Sequence, residues 1–201
     1  MKDLRINRNS FRDVFHSELV RNADFTDDFI EMPILTGCHE IPASLSLFSK
    51  SLNKKDPSSW IHFYEDDYKF ERIWNNPHKY LPLFKRFAGV ISPDFSVYID
   101  MPLPQQIWNI CRSKAFGSWL ESKGIKVIPN IRFGDSRTFE LACSGIPEGS
   151  VVSIGSLGCV RNPNQREIFK SGINYMISRI KPQVVIVYGR VPDDIFGEFK
   201  E

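Results

Sequence analysis

Polar side chains that could do chemistry follow several predicted strands, at the point where each strand ends. Asp94 comes after the strand predicted at 89–92, where a carboxylate could act as a general base or a metal ligand. Asn130, Arg132 and Asp135 follow the next strand, and the arginine could hold an anion through two parallel hydrogen bonds. Two structural alternatives exist. Asp94 could form an Asx turn, and Arg132 could form an ion pair with Asp94 or Asp135.

A turn containing two glycines follows the strand predicted at 150–154. Gly155, Ser156 and Gly158 stand between that strand and a predicted helix, where the backbone could approach a phosphate or carboxylate closely. The spacing is GxxG, without the lysine of a P-loop or the third glycine of a dinucleotide-binding loop. A tight turn with positive φ at glycine is the alternative. Tyr188 ends the last predicted strand and completes the predicted ligand-binding set.

Three acidic residues in a row follow the strand predicted at 60–64. Glu65 and Asp66 are the candidate metal ligands, because carboxylate oxygens are what Mg²⁺ prefers. The alternative is that Asp66 or Asp67 caps the next helix. The four cysteines are widely spaced and form no zinc motif, so reduced thiols are expected. Mg²⁺ is the one cofactor that the sequence suggests.

Short β-branched runs alternate with helical patterns along most of the chain. The predicted elements are strands at 32–35, 60–64, 89–92, 126–131, 150–154 and 183–188, and helices at 43–52, 67–73, 77–87, 104–123, 138–143 and 164–180. Strands without polar alternation, separated by helices, predict an α/β fold with a mainly parallel sheet of five to six strands and helices on both faces. An open doubly wound sheet and a partial β/α barrel both fit. In such folds ligands bind outside the carboxyl ends of the strands.

Composition places the chain among ordinary globular proteins. Its 201 residues are 42% hydrophobic with a net charge of +2, which excludes wholesale disorder and a strongly basic nucleic-acid arm. No apolar run could cross a membrane, and the amino end lacks the apolar core of a secretory signal. We therefore expect a cytoplasmic protein with no membrane partner. Residues 1–28 are predicted to be a charged extension, and residues 29–201 a single α/β domain.

Several stretches resemble one protein family. The stretches are WIHFYEDDYKFERIWNNPHKYLPLFKRFAGVISPDFSVYIDMPLPQQIWN, VIPNIRFGD, the Gly155–Gly158 turn and VVIVYG. Together they resemble the domain of unknown function 4417 family over roughly residues 30–199. The resemblance implies a bacterial, phage or mobile-element protein. It supplies no catalytic residue.

These observations favour a ligand site for a small anionic molecule or nucleotide at the carboxyl ends of the strands. One alternative is a counter-defence binding protein that sequesters a host nucleotide or blocks a host protein, without catalysis. A second is an accessory factor in nucleic-acid processing, which would use Trp108, Trp119 and Arg112 on one helix as a stacking surface. The residues leave open whether bond-making chemistry follows binding.

Overall fold

The computed structural model describes residue 13 and residues 15–199 of the chain. Residues 1–12 and 14 of the predicted extension lie outside the described residues. The described part of that extension includes a short 3-10 helix, Ser17–Val20, which buries Leu19 in the core beside the helices. None of the described helices is both long enough and apolar enough to cross a lipid bilayer.

Six strands, all paired in parallel, form the centre of the molecule. They are β1 (Ser44–Leu47), β2 (Asp56–His62), β3 (Phe87–Ile91), β4 (Val127–Ile128), β5 (Val151–Gly155) and β6 (Val184–Tyr188). The first four pair in chain order, and β5 pairs with β6. A parallel bridge between Asn130 and Ser153 joins the two groups just beyond β4. The strand order therefore follows the chain throughout. This order fits a partial β/α barrel, since a doubly wound sheet reverses its strand order at a switch point.

The helices alternate with the strands, as the α/β prediction requires. They are α1 (Phe48–Ser51), α2 (Asp67–Asn75), α3 (Pro77–Phe84), α4 (Leu103–Ser122), α5 (Phe139–Cys143), α6 (Pro163–Ile180) and α7 (Asp193–Phe196), followed by a 3-10 turn, Gly197–Phe199. Proline occupies the first turn of α3, α4 and α6, where its missing N–H costs no hydrogen bond. Asn162 caps α6 by accepting hydrogen bonds from the N–H groups of Asn164 and Gln165.

Alternate strand side chains point outward and pack under the helices. Ile61, Val90 and Val127 share one apolar cluster with residues of α1 to α4. Val152 and Ile154 share a second cluster with residues of α5 to α7. Both clusters lie on the same face of the sheet, because their members alternate with the inward residues along each strand. The helices predicted on both faces therefore lie on the outer face of the curved sheet.

The inward side chains of the strands pack against one another. Trp60 and Ile91 lie in this inner cluster with residues of β4, β5 and β6. Gly89 makes room for the tryptophan, since a Cβ at that position would lie 2.4 Å from the indole ring. The His62 and Tyr188 rings meet with their centroids 5.0 Å apart, although they come from β2 and β6. Contact between strands this far apart in the sheet order requires strong curvature.

Two elements of the first half differ from the prediction. The helix predicted at 43–52 is strand β1 followed by the single turn α1. The residues of β1 alternate between Ser and Leu, and this period of two favours a strand. The strand predicted at 32–35 contributes one antiparallel bridge, between Phe25 and Pro33. Met32 and Leu35 are nevertheless buried, so the apolar run marked a core segment and not a sheet strand.

Candidate active site at the carboxyl ends of the strands

Two clefts open at the carboxyl ends of the strands and share one wall. The acidic cleft has a volume of about 790 Å³; its lining includes Tyr64, Glu65, Asp66, Asp67, Asp94 and Tyr188. The apolar cleft has a volume of about 640 Å³; its lining includes Val97, Phe133, Gly158, Asn164, Gln165 and Phe169. Arg132, Tyr98 and Leu157 line both clefts. The carboxyl ends of all six described strands thus contribute to one continuous region, as the fold predicts.

Arg132 lies at the boundary between the two clefts with most of its side chain covered. Its side chain is 17% exposed, and its Nη1 lies 4.0 Å from Oδ2 of Asp94. The Nε atom is buried and has no hydrogen-bond partner among the described residues. Gly155 makes room for the neighbouring Tyr64 ring, because a Cβ there would lie 3.1 Å from that ring, whereas Nη1 of Arg132 would be in ordinary contact at 3.8 Å. The surrounding residues therefore position the guanidinium, and its Nε–H has no acceptor among the described residues.

A buried hydrogen-bond chain leads to Asp94. The Tyr64 hydroxyl lies 2.6 Å from Oγ of Ser153 and donates to Oδ1 of Asn130 at 2.8 Å. The amide Nδ2 of Asn130 then donates to Oδ1 of Asp94 at 2.8 Å. The backbone N–H of Asn130 is held by the Ser92 hydroxyl. Asn130 thus holds Oδ1 of Asp94 in place, and Oδ2 faces Arg132.

Burial sets the protonation of this chain. Burial, followed by the nearby charge of Asp94, holds the pKa of Tyr64 well above its ordinary value, so the hydroxyl remains a donor at neutral pH. Burial also raises the pKa of Asp94, while the charge of Arg132 and the hydrogen bond from Asn130 oppose the rise. Asp94 is consequently a carboxyl group whose proton affinity depends on what occupies the space beside Arg132.

Two stacked tyrosines line the acidic cleft. The rings of Tyr64 and Tyr188 are nearly parallel, at 11°, with centroids 4.8 Å apart. His62 packs against both rings below them, and burial lowers its pKa to about 4. The histidine is therefore neutral at physiological pH and serves the packing of the inner cluster. Tyr188 lies where the sequence predicted a ligand-binding residue.

The three consecutive carboxylates each have a partner already. Glu65 accepts a hydrogen bond from the Ser49 N–H at 2.9 Å. Asp66 forms an ion pair with Lys69 at 2.8 Å. Asp67 accepts from the N–H and hydroxyl of Ser96, which ties α2 to the loop after β3. Within the described ranges, no three His, Cys, Asp or Glu side chains come together as metal ligands.

Three of the predicted ligand residues line neither cleft: Asn130, which belongs to the hydrogen-bond chain below Asp94, Ser156 and Asp135. Ser156 is fully buried, and its hydroxyl donates to the carbonyl of Arg190 at 2.7 Å. Asp135 forms an exposed ion pair with Arg137 at 2.8 Å. The serine fastens the β5 loop to the β6 loop, and the aspartate organises a turn before α5.

Sequence reasoning missed Tyr64, Ser153, Tyr98 and Leu157. Ser153 carried a usable signal, since a hydroxyl in the middle of a buried apolar strand needs a partner. Tyr64 lies two residues after His62, at the inward period of β2, and could have been found the same way. Tyr98 and Leu157 come from loops, and no periodicity predicts the direction of a loop side chain.

Of the three residues predicted to form a stacking surface for nucleic acid, only Trp108 is exposed, at 38%. Trp119 and Arg112 are buried, and Arg112 forms an ion pair with Glu71 at 2.6 Å. Trp108 packs edge-on against Trp74. Arg112 and Trp108 therefore hold α4 against α2, and Trp119 packs edge-on against His78 of α3.

A family comparison gives this geometry its context. The model of the family described as Domain of unknown function (DUF4417) matches residues 25–201. The chain belongs to the DUF4417 family. The resemblance read from the sequence motifs is thereby confirmed.

The relatives of this DUF4417 chain include phage proteins. It is 32% identical over 164 residues to the Gene 1 protein of Mycobacterium phage D29, covering 80% of this chain and 61% of that protein. It is 34% identical over 164 residues to the Gene 1 protein of Mycobacterium phage L5, covering 80% of this chain and 72% of that protein. The chain thus spans less than two thirds of the D29 relative. No solved structure is significantly similar to it.

Proposed function

We propose that this protein binds a small anionic molecule of nucleotide type at the carboxyl ends of its strands, with Arg132 as the anchor. The observation that carries the proposal is the covered guanidinium whose Nε has no partner among the described residues. A buried donor left without an acceptor costs about 1–3 kcal/mol. An anionic oxygen bound to the Arg132 guanidinium would supply an acceptor that the described residues do not.

Asp94 does not fill this role. Its Oδ2 lies 4.0 Å from Nη1 of Arg132, which is beyond hydrogen-bond distance. Its other oxygen already accepts from Asn130. A ligand that offers an anionic oxygen to Arg132 and a hydroxyl to Asp94 would satisfy both side chains together. Nucleotides carry both groups close to each other.

Exposed aromatic rings at the cleft rim support a nucleotide over a bare anion. Tyr98 is 53% exposed and lines both clefts, and Tyr68 is 77% exposed and lines the acidic cleft. Exposed rings beside a cleft offer faces on which a base can stack, and such stacking contributes about 1–3 kcal/mol per base.

Isothermal titration calorimetry with inorganic pyrophosphate and with nucleoside mono- and triphosphates tests the anchor. Arg132→Gln should weaken binding by about 10- to 100-fold, the loss expected for a charge-assisted hydrogen bond. Arg137→Gln is the matched control, because that arginine pairs with Asp135 outside both clefts. Equal affinity of wild-type protein and Arg132→Gln for every one of these ligands would refute the proposal.

A substitution at Asp94 distinguishes an enzyme from a sequestering protein that uses the same cleft. In an enzyme, Asp94→Asn should retain ligand binding and lose turnover, because the amide cannot accept the proton in the reaction. A sequestering protein should show stoichiometric binding with no product in either form. Chromatography of the ligand after incubation with each form distinguishes the two.

A further inference from the structure

The two clefts differ in chemistry although they share Arg132. The acidic cleft presents Glu65, Asp66 and Asp94, groups that accept hydrogen bonds from hydroxyls and amines. The apolar cleft has hydrophobic walls, contributed by Val97, Ile99, Phe133, Leu157, Ile168 and Phe169. A ligand that is polar throughout, or apolar throughout, would match only one of the two clefts.

The rim of the apolar cleft carries uncharged amides. Asn164 and Gln165 lie there at the start of α6, and their side chains make no hydrogen bond among the described residues. The first-turn N–H groups of both residues are already bonded to the Asn162 side chain. Those backbone donors are therefore not free for an anion. Apolar walls with free amide donors and acceptors at the mouth suit a planar ring with polar edges, such as a nucleobase.

The acidic cleft suits a different group. Oδ2 of Asp94 faces the cleft beside Arg132, and the Asp66 carboxylate lies further out with Lys69. Carboxylates beside lysines and tyrosine hydroxyls match a group with several hydroxyls, which donates to carboxylates and accepts from ammonium groups. A sugar has this pattern, and an isolated phosphate does not.

We infer that one ligand spans both clefts: a nucleotide conjugate whose phosphodiester or diphosphate lies at Arg132, with its base in the apolar cleft and a hydroxyl-rich half in the acidic cleft. The inference rests on the proposed function, because Arg132 is the anchor in both. It adds that Arg132 contacts the middle of the ligand and not its end. The volumes of about 640 and 790 Å³ each leave room for one half.

Comparison of a conjugate with its own halves tests the inference. ADP-ribose, AMP and ribose 5-phosphate are titrated into the full chain by calorimetry. Joining two fragments that occupy adjacent sites raises affinity through effective concentration, so ADP-ribose should bind at least about 100-fold tighter than either half. Equal affinity of AMP and ADP-ribose would overturn the inference, because one cleft would then hold the whole ligand.

One variant in each cleft shows which half of the ligand binds there. Gln165→Trp should fill the mouth of the apolar cleft and weaken AMP and ADP-ribose at least tenfold, leaving ribose 5-phosphate unchanged. Glu167→Trp, an exposed position on α6 outside both clefts, is the control. Asp66→Asn should weaken ADP-ribose and ribose 5-phosphate and spare AMP. Loss of all three ligands in either variant would contradict the division between the clefts.

The failure of this inference can be told apart from failure of the proposed function. If pyrophosphate binds in an Arg132-dependent way while ADP-ribose gains nothing over pyrophosphate, the anchor stands and the spanning ligand is wrong. If Arg132→Gln leaves the binding of pyrophosphate and of every nucleotide unchanged, the proposed function is itself wrong.

Discussion

At the scale of single residues, the polar groups of the inner cluster form a directed chain that ends in the cleft. Tyr64 donates to Asn130, and Asn130 donates to Asp94, so each side chain fixes the orientation of the next. The side chain of Asp94 is 14% exposed, which leaves one carboxylate oxygen for an outside partner. A buried network of this kind positions a functional group because every member except the last is satisfied.

Tyr64→Phe tests the chain as a structural unit. The change removes the hydroxyl that bonds Asn130 and Ser153 and leaves two buried polar atoms without that partner. The free energy of unfolding should fall by about 1–3 kcal/mol, measured by urea denaturation. Tyr175→Phe is the control, because its hydroxyl bonds Glu140 at the surface. A loss no larger than that of the control would show that the chain contributes nothing to stability.

His62 predicts a specific acid sensitivity. Burial lowers its pKa from 6.5 to about 4, so between these values the unfolded chain binds more protons than the folded protein. Stability must therefore fall as the pH falls from 6.5 to about 4, by up to about 3 kcal/mol from this group. The difference in unfolding free energy between wild-type protein and His62→Gln, followed across that range, isolates the effect. Parallel stability profiles for wild-type protein and His62→Gln would contradict this prediction. His39→Gln, at an exposed position, is the control variant.

At the scale of elements, two glycines lie where neighbouring segments of the fold approach each other closely. Gly89 of β3 faces the Trp60 ring inside the sheet. Gly172 of α6 faces the Phe133 ring, and a Cβ there would lie 2.2 Å from it. Phe133 follows Arg132 directly, so the position of α6 constrains the segment that carries the anchor.

Gly172→Ala should destabilise the protein although alanine favours helices. The methyl group would overlap the Phe133 ring, and overpacking of this kind costs about 1–3 kcal/mol, against a gain of about 1 kcal/mol in helix propensity. Urea denaturation should therefore show a net loss, or at best no gain. Ser171→Ala, at the adjacent exposed position of α6, is the control and should change stability little. A Gly172→Ala protein that is more stable than wild type would contradict the close approach.

The second half of the chain could be predicted element by element, whereas in the first half the segments at 32–35 and 43–52 could not. The runs at β5 and β6 are apolar on both faces, and α4 and α6 have proline at their starts, so their periods and ends were clear. Strand β1 was misread because four alternating residues run directly into a helical turn. The proximity of Arg132, Asp94 and Asn130 could be predicted because strand ends converge in any parallel fold. The burial of Ser156 against the Arg190 carbonyl could not be predicted, because the sequence does not show which way a turn side chain points.

At the scale of the whole molecule, the parallel pairing of the described strands brings their carboxyl ends to one side. Two clefts that meet at one arginine follow from this arrangement, because adjacent strands deliver adjacent loops. The net charge of +2 is small, so the site depends on local groups and not on a field over the surface.

This charge balance predicts weak salt dependence. Affinity for pyrophosphate should change by less than about tenfold between 50 and 200 mM salt, whereas a protein that contacts 6–10 phosphates of DNA loses about 10³–10⁵ over that range. Calorimetry at the two salt concentrations, with a single-stranded oligonucleotide as a second ligand, makes the comparison. Steep salt dependence with tight oligonucleotide binding would favour the nucleic-acid accessory function instead.

The most direct test of the account observes Arg132 itself. The NMR signal of its Nε–H group, identified by its absence in Arg132→Lys, is followed during titration with pyrophosphate. We predict a saturable shift of this signal, because the unpartnered donor gains an acceptor when the anion binds. Saturable shifts elsewhere in the spectrum, with the Arg132 signal unchanged, would place the anion at another site and contradict the account.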